Sequence, residues 1–210
     1  MKLFLYLFIY SVVFLSAGIS KSQQLDASFW CAINIEKKFT KKISVDFFNQ
    51  YSMNQNLTEL GYCFFDLGIN FKLNENITVS GSYRFTKFRN LSNFYDDRQT
   101  LYGELSYAKG FGKFSFSLRT RYQQTYYGLS FSESENYRPS RNYSRNKFVI
   151  KYRLNRQYSF YISKEQFYRW DNKNRTEAWR TGFGVFYQFN LYNRVEIYYL
   201  VQKQVNLRNP

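Results

Sequence analysis

The chain has 210 residues, room for one domain or one small barrel. Tyr and Phe number 21 and 23 against only 2 Pro, which excludes a disordered chain and favours strands, because aromatic and β-branched side chains suit a pleated, half-buried surface. The formal charge of +15 points to a polyanionic partner, and the absence of histidine excludes Ser-His, Cys-His and Asp-His catalysis and most zinc sites.

The N-terminus reads as an export signal over residues 1–22, with the mature barrel expected over 23–210. Met1-Lys2 is a short positive start, Leu3 to Ala17 is apolar, and Ser20-Lys21-Ser22 fits a small-x-small cleavage pattern. The first cysteine, Cys31, lies well past the apolar stretch and inside a strand-like run, so a lipoprotein signal does not fit. Beyond the signal no apolar run is long enough for a transmembrane helix. A membrane barrel passes that test unseen, because only alternate residues of each strand face lipid.

From Ser28 onward the chain alternates with period two. In Phe114 to Tyr122, Phe114, Phe116, Leu118, Thr120 and Tyr122 alternate with Ser115, Ser117, Arg119 and Arg121. A strand sorts such residues onto two faces and a helix cannot. Strands are predicted near Ser28–Glu36, Lys42–Met53, Leu60–Leu73, Ile77–Lys87, Arg98–Lys109, Lys113–Tyr126, Arg145–Leu154, Gln157–Trp170, Glu177–Phe189 and Arg194–Val205. They are long enough to cross a bilayer as tilted strands and longer than those of most soluble sandwiches. Tight Asn- and Gly-rich turns, whose residues tolerate positive φ, alternate with longer polar loops, chiefly Tyr127–Ser144. This rhythm predicts an all-β, antiparallel up-and-down barrel of about ten strands, against the alternative of a soluble periplasmic β-sandwich. Aromatic residues at the strand ends form two expected girdles, Tyr168, Trp170, Phe88 and Tyr95 on the loop side and Phe39, Phe71, Tyr158 and Tyr192 on the turn side.

The polar parity faces inward. It carries Asp46, Asp66, Glu104, Glu165 and Glu196, nearly balanced by Arg84, Arg119, Arg121, Lys151, Arg153 and Arg180. Opposite charges in a narrow lumen pair, so these residues predict a charge network that stiffens the barrel or sets selectivity in a constricted pore. Glu104, Glu165 and Glu196 share this face, but so many arginines alongside make ion pairing their expected fate instead of glycosidase chemistry. No catalytic, cofactor or metal site is expected. Cys31 and Cys63 sit on the apolar parity and read as two small hydrophobes facing lipid, not as a disulfide. Glycines within strands, including Gly68, Gly81, Gly103, Gly182 and Gly184, read as bends, bulges or room for a cross-strand ring.

The motifs SFWCAINIEKKFTKKISVDFFNQY, LGYCFFDLGINFKLNENITVSGSYRF, FSFSLRTRYQ, SRNKFVIKYRL, YISKEQFYRW, RTGFGVFYQF and VNLRNP follow one another along the chain. Together they resemble the Bacteroidota proteins grouped as domain of unknown function 2490, with Arg84, Arg119, Arg121, Arg153, Glu165 and Arg180 in matching places. The resemblance implies an outer-membrane barrel without an established activity. Members of that family usually continue with one more strand ending in an aromatic residue, whereas this sequence stops at Pro210. A barrel lacking a final closing strand is therefore the expectation. Strands in this order also place both chain ends on the loop side. Either Gln23–Ser28 threads back along the barrel, or the longer loops face the periplasm.

The functional expectation is a small monomeric outer-membrane barrel, structural or weakly pore-forming. The alternative is a binding protein presenting its basic, Tyr-rich loops to an anionic glycan or lipid headgroup. The expected partners are outer-membrane lipid, lipopolysaccharide and the barrel-assembly machinery. Nucleic acid is not among them, because the basic residues are scattered and the chain is exported.

Overall fold

A computed structural model describes residues 28–54, 58–89, 94–128, 140–170, 174–190 and 193–205. The expected signal segment, Tyr192 of the turn-side girdle and most of the Tyr127–Ser144 loop lie outside the described residues. Ten strands follow in order: β1 (Phe29–Lys38), β2 (Ile43–Asn54), β3 (Glu59–Lys72), β4 (Ile77–Arg89), β5 (Tyr95–Phe111), β6 (Phe114–Tyr127), β7 (Arg141–Arg153), β8 (Tyr158–Arg169), β9 (Arg175–Gln188) and β10 (Arg194–Gln204). They form a single antiparallel meander in chain order, so the architecture is one up-and-down sheet and not a two-sheet sandwich. The sheet curls into an open barrel. Among the described residues β1 and β10 are not hydrogen-bonded to each other, yet the Trp30 and Tyr198 rings approach edge-on at 6.2 Å across the seam.

Four of the five short turns share one construction. The chain leaves a strand through a Thr or Asn whose side-chain oxygen accepts from the backbone N–H three residues on, at or just before the start of the next strand. The pairs are Thr40 with Ile43 at 2.9 Å, Asn74 with Ile77 at 2.8 Å, Asn155 with Tyr158 at 2.7 Å and Asn190 with Asn193 at 2.8 Å. These asparagines were expected for positive φ. Among the described non-glycine residues only Asn174 has it, so the turn asparagines act through their carbonyls, as short polar side chains do when they mimic a backbone turn. Gly112, at φ 59, is the turn residue that needs the left-handed region. Replacing Asn155 with Ala is expected to destabilise the barrel by about 1 kcal/mol, read as a lower denaturant midpoint.

The distribution of polarity is inverted relative to a water-soluble protein. Among the described residues the buried apolar side chains are Phe64 and Ala178, while Ser52, Asp66, Thr100, Arg121, Ser163 and Glu165 are buried polar ones. Leu67, Ile69 and Ile197 stand outward at 55%, 59% and 74% exposure. A continuous apolar outer surface of this extent is far larger than monomers in water expose. On β6–β8 it forms a band on the turn-side part of the strands, and nearer the loops the outward positions become polar, as at Gln124, Asn146, Lys164 and Gln166. On β1 and β2 it continues to the loop end, at Phe29, Tyr51 and Met53. Phe39, Phe71 and Tyr158 are exposed at the turn end and Tyr95 and Trp170 at the loop end, as girdle residues should be. Phe88 is a correction. Its parity is that of Arg84, so it faces the lumen, where the Arg98 guanidinium lies 3.9 Å over its ring. Leu67→Arg, within the apolar band, is expected to cost about 2–4 kcal/mol of stability in lipid, measured by unfolding from bilayers, and little in detergent micelles that adapt to the charge.

Both cysteines face outward and are free. Tyr51 of β2 pairs with Cys31 on one side and Cys63 on the other, so a whole strand separates the two thiols and prevents bridging.

Candidate functional site

Strand register builds the site. One inward row across neighbouring strands places Arg119, Lys147, Glu165 and Arg180 side by side. The adjacent inward row places Glu104, Arg121 and Arg145 beside them. On the opposite flank Asp66 pairs directly with Arg84.

Glu165 is the hub. Its carboxylate accepts from Arg119 at 2.7 Å and Arg145 at 2.8 Å, and Arg180 lies at 3.8 Å. Glu104 accepts from Arg121 at 2.8 Å, and Arg119 lies at 3.7 Å, so Arg119 links the two carboxylates. Asp66 accepts two parallel bonds from Arg84, at 2.6 and 2.7 Å, and a third from the Tyr102 hydroxyl at 3.0 Å. This fork geometry suits a planar guanidinium and fixes its orientation. Phe64 lies 3.9 Å beneath the same guanidinium. Asp46 accepts from the Asn70 amide, and Glu196 accepts from the Tyr161 hydroxyl.

These groups enclose a cavity of about 580 Å³. Its lining includes residues of all ten strands, from Trp30 of β1 to Tyr198 of β10. The charges are segregated around it. Arg119, Arg121, Arg145, Lys147 and Arg180 outnumber Glu104 and Glu165 on the β5–β9 wall, while Asp46, Asp66 and Glu196 outnumber Arg84 elsewhere. Lys147 reaches no carboxylate within ion-pair distance among the described residues.

Most of the expected lumen charges therefore meet here. Lys151 points inward nearer the turns, its ammonium 4.6 Å over the Phe186 ring. Arg153 is exposed at the turn end of β7, away from the cluster. Arg145 and Lys147 were missed. Strand β7 was expected to start at Arg145, with the preceding residues in a loop, but it begins at Arg141. Arg145 thus sits within the wall, and the parity it shares with Lys151 and Arg153 was the available signal.

A family model for proteins of unknown function, DUF2490, matches residues 27–209. The chain belongs to the DUF2490 family. This match covers every strand of the barrel and all of the lumen residues above. Among solved structures, the outer-membrane expressed OmpT of Vibrio cholerae is similar at 12% identity and a TM-score of 0.45, over 77% of this chain and 54% of that one. The DUF2490 chain thus spans about half the length of that protein. Among curated proteins nothing matches it.

Proposed function

We propose that this protein is a small outer-membrane barrel, without enzymatic activity, whose constricted and charged lumen passes small polar solutes with a preference for anions. The apolar outer band supports placement in a membrane as a barrel, and the expected export signal supports the outer membrane. The observation that carries the pore reading is the course of the charge network. Each lumen ion pair and hydrogen bond named above joins neighbouring or next-but-one strands, so the network runs around the wall and borders the cavity instead of bridging opposite walls. Charges held this way stiffen the wall and present fixed fields to a solute. The surplus of cations among the lining residues favours anions.

The test is conductance of the refolded protein across a planar bilayer. Small stepwise currents with a reversal potential shifted toward the anion are expected. Lys147→Gln should reduce that shift while leaving stability within about 1 kcal/mol, because Lys147 is not engaged in the network. A sealed bilayer would sink the pore. Recovery of the protein in the soluble periplasmic fraction, without heat-modifiable gel migration, would sink the barrel itself.

A further inference from the structure

The middle of the lumen has two unlike walls. Trp30 of β1 meets Tyr198 of β10 at 6.2 Å and Tyr62 of β3 at 6.4 Å between ring centroids, both edge-on. All three rings line the cavity. In a ten-stranded meander brought nearly to closure by the Trp30–Tyr198 contact, β1–β3 stand opposite β6–β8. The wall these rings face is therefore the cationic one. Arg180 joins the two walls, its guanidinium 5.4 Å from the centre of the Trp30 ring.

Charge does not balance at this level. Asp66 is occupied by Arg84, and Glu104 and Glu165 are occupied by Arg119, Arg121 and Arg145. Asp46 and Glu196 belong to a layer nearer the turns, three residues after Ile43 opens β2 and two after Arg194 opens β10. Glu165 lies deeper, seven residues after Tyr158 opens β8. Lys147 and Arg180 flank it in one row. The Nε and Nη2 of Arg180 donate to Gln202, and its Nη1 stays 3.8 Å from Glu165. These two cations are what the carboxylates of the middle layer leave over.

Three groups lining the cavity make no hydrogen bond among the described residues: the Lys147 ammonium, the Trp30 indole N–H and the Tyr198 hydroxyl. Inward polar groups with a purely structural role find partners in the wall, whereas these are open to a solute. Spare cations beside a ring surface suit a flat organic anion, whose carboxylate takes the cations and whose ring takes the aromatic faces. A small inorganic anion would engage the cations alone, and an apolar solute the rings alone. The cavity, at about 580 Å³, falls in the range of small-molecule sites.

We infer that the middle of the lumen is a binding site for an aromatic carboxylate, with the carboxylate on Lys147 and Arg180 and the ring against Trp30 and Tyr198. The inference rests on the anion-preferring lumen proposed above and names the class of solute it takes.

Calorimetry of the mature protein refolded in detergent micelles, with micelles alone as the blank, tests it. The probes are 2-naphthoate, its saturated analogue decalin-2-carboxylate, its uncharged analogue 2-naphthol, glucuronate and inorganic phosphate. Saturable binding of 2-naphthoate is expected, about fivefold tighter than decalin-2-carboxylate and about tenfold tighter than 2-naphthol. Trp30→Leu should abolish the preference over the saturated analogue, and Lys147→Gln most of the preference over 2-naphthol. Equal binding of decalin-2-carboxylate, tighter binding of glucuronate or phosphate, or no saturable binding of 2-naphthoate would each overturn the inference. The probe series on the wild type decides this without either variant, and heat-modifiable migration identifies a variant that has not folded. Anion-selective conductance without 2-naphthoate binding overturns this site alone. Binding of 2-naphthoate by a barrel that leaves the bilayer sealed supports the site and overturns the pore.

Discussion

Glu165→Gln is expected to lower the stability of the folded barrel by about 3–5 kcal/mol, the range for removing one partner from a buried ion network. Glu165 is 3% exposed and is the acceptor shared by Arg119 and Arg145, with Arg180 close by. Without its charge, guanidiniums that now converge on one carboxylate face each other across a confined wall. Glutamine keeps the shape and one acceptor, so the loss reports charge and not packing. Denaturant unfolding of the refolded protein measures it. A second substitution, Arg145→Met, should recover part of the loss by removing one uncompensated cation. A Glu165→Gln barrel as stable as the wild type would show that water in the lumen screens the cluster fully. In a conducting barrel the same variant should shift the reversal potential further toward the anion, because one negative charge leaves the wall.

The second large effect is expected at Asp66. Asp66→Ala removes both bonds of the Arg84 fork and the Tyr102 hydroxyl's acceptor. It leaves Arg84 over Phe64 with no carboxylate, at an expected cost of about 3–5 kcal/mol. Arg84→Ala leaves the opposite orphan, a carboxylate that is itself 3% exposed. The two losses should not add. In a double-mutant cycle with Asp66→Ala and Arg84→Ala, the doubly substituted barrel should be little worse than the poorer single one, and a coupling below about 0.5 kcal/mol would contradict the fork.

Much of this architecture is legible in the chain. The parity of Phe114 to Tyr122 alone separates a lipid face from a lumen face, and the same reading placed Asp66, Arg84, Arg121 and Glu165 inward, where they are found. It also kept Cys31 and Cys63 apart. The misreadings arose where local signals were ambiguous. Arg145 and Lys147 lie inside the predicted strand Arg145–Leu154 and share the parity of Lys151 and Arg153, yet neither is in the predicted lumen set; the start of β7 at Arg141 moves Arg145 from the end of that strand into the wall. Phe88 was given to a girdle by its nearness to a strand end, although its parity with Arg84 places it inward. The turn asparagines looked like positive-φ residues because the same residue type serves both uses.

By itself the sequence determined the class: strands of period two, their order, and which side chains share a face, since alternation is a property of each strand alone. Only the tertiary structure decided which charges meet. Arg119 and Glu165 are 46 residues apart in the chain, and their contact follows from the registers of β6, β7 and β8 taken together. A shift of one residue in any of those pairings would separate them. The open seam between β1 and β10 and the cavity likewise depend on curvature and register summed across the sheet, quantities that no single strand contains.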